Sequence, residues 1–252
     1  MSTTMSVPHV ADLGPVLDTL AAWQTEGTPV QLHPGDLGWY WRHGAEATAA
    51  ATRVWRREGE VAAVGLLDGP DLLRLALAPH AQGDEDLVRG VVGDLVDPGR
   101  GVLPPGEVCV ETPTGAVVHD LLGELGWELD EAWAVLRHDL GDQADEAGLR
   151  IEEVGPGQAR AWCRVHRAAF GATGVSEDDL LQRWHRTTAG MPFAQARCLL
   201  GRDGRGDPVA GVIVWSAGPG RYGVLEPMGV HPGHRGQGYG VAITRAAAHR
   251  AA

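Results

Sequence analysis

The chain has no lysine: all 21 basic side chains among its 252 residues are arginines. That absence excludes a lysine Schiff base, and with it ordinary pyridoxal phosphate chemistry. It also excludes the lysine of a Walker-type nucleotide loop. Cysteine is scarce as well. Cys109, Cys163 and Cys198 stand far apart without metal-ligand spacing, and an odd count of three fits a reducing compartment better than a disulfide framework. No apolar run approaches the roughly 20 residues that a membrane span needs. The N-terminus lacks the basic start and apolar core of a secretory signal. The expected location is the cytoplasm, with no membrane partner.

Positive charge is missing from one half only. Residues 1–148 hold 8 Arg against 25 Asp plus Glu, a net −17, whereas residues 149–252 hold 13 Arg against 8 acids, a net +5. The whole chain, at −12, repels a phosphate backbone and is not expected to bind nucleic acid. Only the second half suits an anionic ligand.

What is present is a repeated order of elements. In the first half the apolar spacing predicts helices over Val10–Gln24 and Thr48–Arg56, then strands over Glu60–Leu67 and Asp71–Ala78. A helix over Asp84–Leu95, a strand over Glu107–Glu111, a helix over Gly115–Leu125 and a strand over Ala132–Leu140 follow. The second half predicts a strand over Leu149–Val154, helices over Pro156–Ala169 and Asp178–Thr188, strands over Ala196–Leu200, Val209–Trp215 and Val224–Val230, and a helix from Val241. Shifted by 153 positions, Leu75-Ala76-Leu77-Ala78-Pro79 lies over Met228-Gly229-Val230-His231-Pro232, and Gln82-Gly83 over Arg235-Gly236. The halves read as an internal duplication, with a domain over 1–140, a polar linker over 141–148 and a second domain over 149–252.

The copies diverge where a strand meets a helix. The second has Arg235-Gly236-Gln237-Gly238-Tyr239-Gly240, a cationic turn rich in glycine. Its glycines admit positive φ and close approach of a ligand to the backbone, so successive amides and a helix N-terminus converge on one anion. The first copy has Asp84-Glu85-Asp86 at the corresponding place, and three carboxylates there repel a pyrophosphate. The spacing is not that of a dinucleotide fingerprint, and no acid follows at the ribose distance.

Residues 225–240 resemble the acetyl-CoA-binding segment of the GNAT family, the GCN5-related N-acetyltransferases, whose loop reads Arg/Gln-x-x-Gly-x-Gly/Ala after a strand. Arg235, Gly238 and Gly240 match it, and Met228-Gly229-Val230-His231-Pro232 fits the strand before it. The resemblance implies an α+β fold of two tandem GNAT-like domains, each a mixed, mostly antiparallel sheet flanked by helices. The N-terminal copy is then degenerate, and the C-terminal copy lacks its last strands. Acetyl-CoA is the implied cosubstrate. The amides of Gly236, Gln237, Gly238, Tyr239 and Gly240, with Arg235, are expected to hold its pyrophosphate, and the backbone of Met228, Gly229 and Val230 to pair with its pantetheine arm.

Acetyl transfer to an amine requires a base, since an ammonium group is not a nucleophile. By resemblance that base is Glu226. The tyrosine that usually protonates the leaving thiolate has no counterpart, because Tyr222 and Tyr239 lie elsewhere. The elements that close a family domain are not found after Ala252, so the expectation is a fragment or a sheet completed by a partner, a homodimer among the options. The implied activity is N-acetylation of a small-molecule or peptide amine by direct attack. The alternative is an inactive acyl-CoA-binding or interaction protein. Trp162, His166, Phe170, Trp184 and His185 are candidates for the acceptor site, and the acidic first half suggests a cationic acceptor such as an aminoglycoside or polyamine. His231 and His234 lack a third ligand, so no metal is expected. Cys163 and Cys198 read as buried small apolar groups, and Trp39-Tyr40-Trp41 as core.

Overall fold

A computed structural model describes residues 3–131, 136–137 and 148–250. The chain divides into two compact units: Met1–His33 with Ala45–Arg137, and Pro34–Gly44 with His138–Ala252. The segment Pro34–Gly44 therefore belongs to the second unit, although it is embedded in the sequence of the first.

The first unit is built on a five-stranded sheet in the order β1 (Thr3–Ser6), β2 (Thr52–Arg57), β3 (Glu60–Leu67), β4 (Leu72–Leu77), β5 (Cys109–Glu111). The first three pairings are antiparallel. The last is parallel and joins only Leu72–Arg74 to Cys109–Glu111, so β5 has left β4 before its C-terminal end. Helices α1 (Leu13–Ala22), α3 (Ala45–Ala51), α4 (Glu85–Val96) and α5 (Val117–Glu124) complete the unit; α2 belongs to the other. Trp55 is fully buried and donates its indole N–H to Asp94 Oδ2 at 3.0 Å.

One expectation needs correction here. The helix over Thr48–Arg56 is in fact a helix followed by a strand. Ala45–Ala51 is an alanine-rich helix former, while Thr52-Arg53-Val54-Trp55 is β-branched and aromatic and finds a strand on each side. Strand β1 is only four residues long and has no alternation strong enough to mark it. The strand predicted over Ala132–Leu140 and the linker over 141–148 fall almost wholly outside the described residues.

The second unit contains α2 (Pro34–Tyr40), β6 (Arg150–Glu153), α6 (Ala159–Ala169), α7 (Glu177–Ala189), β7 (Ala196–Arg202), β8 (Pro208–Trp215), β9 (Val224–Val230) and α8 (Tyr239–Ala248). Its four strands run β6-β7-β8-β9 and are antiparallel throughout, so only the first unit's sheet is mixed. Alternation along β8 assigns the two faces. Ile213 and Trp215 pack with Trp162, Cys163 and Trp184 of α6 and α7, while Val212 and Val214 pack with Ala242 and Ile243 of α8. Helix α2 lies flat on Trp215: a Cβ on Gly38 would come within 2.3 Å of the indole. Strand β9 is the edge of this sheet among the described residues.

Candidate functional site

Register breaks once along β8–β9. Val212 faces Met228 and Val214 faces Leu225, so Ile213 alone stands opposite Glu226 and Pro227. This is a bulge, which bends the strand and turns its remaining polar groups outward. The Trp215 indole N–H donates to the Glu226 carbonyl at 2.7 Å and pins the bulge from the α6–α7 side. Beyond it, His231 N–H donates to Val209 O at 2.8 Å. Strand alternation then aims the Gly229 N–H at β8 and the Met228 and Val230 N–H groups at the open edge. The bulge residue Glu226 is half-buried, and Met228 is exposed.

After β9 the turn Pro232–His234 leads into the glycine loop. Gly236 and Gly238 have φ of 77° and 81°, and Gly238 is the left-handed N-cap of α8. Such values suit glycine alone among common residues. A capping side chain is absent at Gly238, and the first turn of α8 carries no acid. Among the described residues the amides of Gly236, Gln237 and Gly238 make no hydrogen bond. Those of Tyr239, Gly240 and Val241 lie in the first turn, where a helix offers no acceptor. Residues 235–238 are exposed, and a Cβ built on Gly236 or Gly238 meets nothing within 4 Å, so the space around these residues is open.

All nine residues expected to bind the cosubstrate thus fall on one continuous β9–loop–α8 corner. Val230 packs against the start of α8, where a Cβ on Gly240 would lie 3.6 Å from Val230 Cγ2. Gly229 is a point of close approach: a Cβ there would sit 2.6 Å from Ala169 Cβ and 3.1 Å from Phe170. Arg235 does more than add charge. It donates to Val230 O at 3.4 Å and to Ala169 O at 3.0 Å, tying the loop to the end of α6.

On the α6–α7 face the candidate acceptor residues separate. His166 stacks on Trp162 at 5.1 Å, meets the Trp39 ring edge at 5.5 Å and touches Phe170 at 4.8 Å. Trp162, His166 and Trp184 line one cavity with Trp39, Arg42 and Arg183, while His185 is exposed on the outer side of Trp184. Burial, and then the Arg42 charge, lower the His166 pKa to about 4, so its imidazole is neutral at pH 7. Periodicity could not reveal Trp39 and Arg42, since they come from the embedded segment. The indole of Trp39 is only half-buried, so the core reading of Trp39-Tyr40-Trp41 holds fully for Trp41.

Burial pushes the Cys163 thiol up to about 12 and the Cys198 thiol higher still, so neither supplies a thiolate. His231 and His234 stand 5.5 Å apart, with His231 Nδ1 accepting from Gly233 N–H. Among the described residues no group of three His, Cys, Asp or Glu is arranged to hold a metal. No helix of the described residues is long and apolar enough to cross a membrane.

Among the described residues the second unit is thus a sheet of four antiparallel strands, bulged at its open edge and followed by a glycine-rich cationic helix start. Residues 160–252 match the model of the acetyltransferase (GNAT) family. The whole chain shares its fold with a tandem GNAT protein from the clavulanic acid biosynthesis pathway (16% identity, 99% of this chain and 85% of that one, TM-score 0.50). It does so also with a GNAT-family acetyltransferase from Colwellia psychrerythraea (15% identity, 100% and 87%, TM-score 0.51). It covers 38% of a solved Pyrococcus horikoshii protein at 14% identity, with 46% of this chain aligned and a TM-score of 0.34. No curated protein matches the sequence.

Proposed function

We propose that the second unit is an N-acetyltransferase that binds acetyl-CoA along β9 and the Arg235–Gly240 loop and acetylates a primary amine. The observation that carries this reading is the run of unbonded amides at Gly236, Gln237 and Gly238, open to solvent at an uncapped helix start. Their donor-only chemistry fits a pyrophosphate. The outward Met228 and Val230 N–H groups fit the amide carbonyls of a pantetheine arm laid along the edge as an extra strand. Bound there, the cosubstrate supplies an acetyl thioester.

The protein's own residues have three tasks. Arg235 holds the loop against α6, so the amides stay aimed at one point. The bulge at Glu226–Pro227 sets a half-buried carboxylate on the strand beside the expected thioester. Glu226 takes the proton of the incoming ammonium, directly or through a water, because only the free amine has a lone pair to donate. No cysteine lies on β9 or in the Arg235–Gly240 loop, so the amine attacks the thioester carbonyl directly, and coenzyme A leaves as a thiolate that takes up a proton from solvent. The first unit is a degenerate copy that serves as scaffold; the sequence domain 1–140 lends Pro34–Gly44 to the second unit and is joined through 141–148 to 149–252.

Thiol release from acetyl-CoA across a panel of amines tests the reading. Glu226→Gln is expected to lower turnover at pH 7 by about 100-fold while coenzyme A affinity stays within twofold. An unchanged rate removes Glu226 as the base. A chain that binds coenzyme A and releases no thiol with any amine is an acyl-CoA-binding module instead.

A further inference from the structure

The α6–α7 face of the second unit encloses a cavity of about 60 Å³. That volume holds a small end-group or a few waters, well short of the ~300 Å³ of a drug-sized site. Its walls include Trp39, Trp162, His166 and Trp184, and its charges are Arg42 and Arg183; among the described residues no carboxylate lines it. Arg42 lies 4.7 Å over the Trp39 ring and donates to Trp39 O at 2.8 Å. The half-buried Arg183 guanidinium makes no hydrogen bond, ion pair or ring contact among the described residues. The acids at the start of α7 are engaged elsewhere, Glu177 and Asp178 with Arg160, Glu177 also with Arg164, and Asp179 with Ser176. The Trp162 indole N–H is buried without a partner. Ile213, the residue that faces the Glu226–Pro227 bulge, also lines the cavity. The cavity thus adjoins the strand position where acetyl transfer is proposed.

We propose that this cavity takes a negatively charged end of the acceptor, a carboxylate on the same small molecule as the reacting amine, with Arg183 as its ion-pair partner. The inference rests on the acetyltransferase reading and names its substrate class. A half-buried guanidinium with no partner among the described residues leaves its fork free, and a carboxylate answers it with two parallel hydrogen bonds. Arg42 adds a second positive charge, and the neutral His166 adds no competing one. A polycationic acceptor, suggested by the acidic first half, would meet two arginines here. The carboxylate end in the cavity leaves the amine end to reach toward Glu226.

Calorimetry on the chain saturated with coenzyme A, which permits no turnover, tests the pairing directly. The probes are glycine, β-alanine and γ-aminobutyrate, each against its primary amide. At least one acid is expected to bind tenfold or more tightly than its amide, and Arg183→Gln to abolish that preference. Arg183→Lys keeps the charge without the fork and is expected to retain part of it. Coenzyme A affinity within twofold of wild type in both variants reports an intact fold. Equal binding of acids and amides, binding of neither, or an acid preference that survives in Arg183→Gln overturns the proposal. Failure to bind coenzyme A overturns the acetyltransferase reading instead, and the acid–amide comparison on the free chain still decides the cavity.

Discussion

Two helix starts, each set behind a short Pro-containing turn, solve the same backbone problem in opposite ways. The turns Pro79–Ala81 and Pro232–His234 lie 153 positions apart and follow β4 and β9 respectively. In the first unit the chain satisfies itself. Asp84 accepts from Leu87 N–H at 3.0 Å, pairs with Arg57 at 2.7 Å, and is followed by Glu85 and Asp86 in the first turn. One residue of the preceding strand, Leu77, donates its outward N–H to the buried Gln31 carboxamide oxygen at 3.1 Å. In the second unit the cap is a bare glycine, and the counterpart of Leu77 is Val230, whose N–H faces the open edge. The first unit has filled its own slot with side chains, and the second leaves the corresponding amides and edge open, where we propose that a ligand binds. A shared fold therefore does not imply a shared site.

Swapping the two solutions gives the largest expected effect. Replacing Gln237-Gly238-Tyr239 by Asp-Glu-Asp installs three carboxylates and forces a side chain onto a left-handed φ. Coenzyme A affinity should fall more than about 100-fold by calorimetry.

Acid sensitivity of the second unit comes next. His166 is held neutral with a pKa near 4, against about 6.5 when unfolded. The unfolded chain binds this proton first, so stability falls as pH drops below about 6.5 and levels off near 4, by up to about 3 kcal/mol. Urea unfolding at pH 7 and pH 4.5 should show this loss, and His166→Phe should reduce it.

Gly229→Val comes third. Its side chain collides with Ala169 and Phe170, and overpacking of this kind costs about 2 kcal/mol in urea unfolding. The matching position in the first unit is Ala76, which already carries a Cβ. Gln31→Ala should cost about 1 kcal/mol, because it frees the Leu77 N–H but also removes a buried amide nitrogen that has no partner. The smallest effect belongs to Asp84→Ala. The Leu87 N–H bond, then Arg57, holds the Asp84 pKa below its ordinary value. Its contribution is present above the unfolded value near pH 4 and is lost as pH falls through the lower folded one. Thermal scans at pH 7 and pH 3 on Asp84→Ala should differ less than those on wild type.

Legibility in the sequence followed locality. The β9–loop–α8 corner was readable because all its residues are consecutive and its turn demands glycine at defined places. The degenerate copy was readable from the same register, since Asp84-Glu85-Asp86 replaces the loop in place. Arg42 and Trp39 could not be placed, because a segment from the first half of the chain packs into the second unit and no periodicity announces that. The dual role of Arg235 was hidden for a related reason: its partner Ala169 lies 66 residues away. Helix and strand merged at Ala51–Thr52, where no glycine or proline marks the change.

The most direct test is a calorimetric titration of coenzyme A into the chain and into Gly238→Asp. One site per chain is expected, absent from the variant and unaffected by Asp84→Ala. Two sites per chain, or one site that survives Gly238→Asp, would contradict the assignment of the anion slot to the second unit alone.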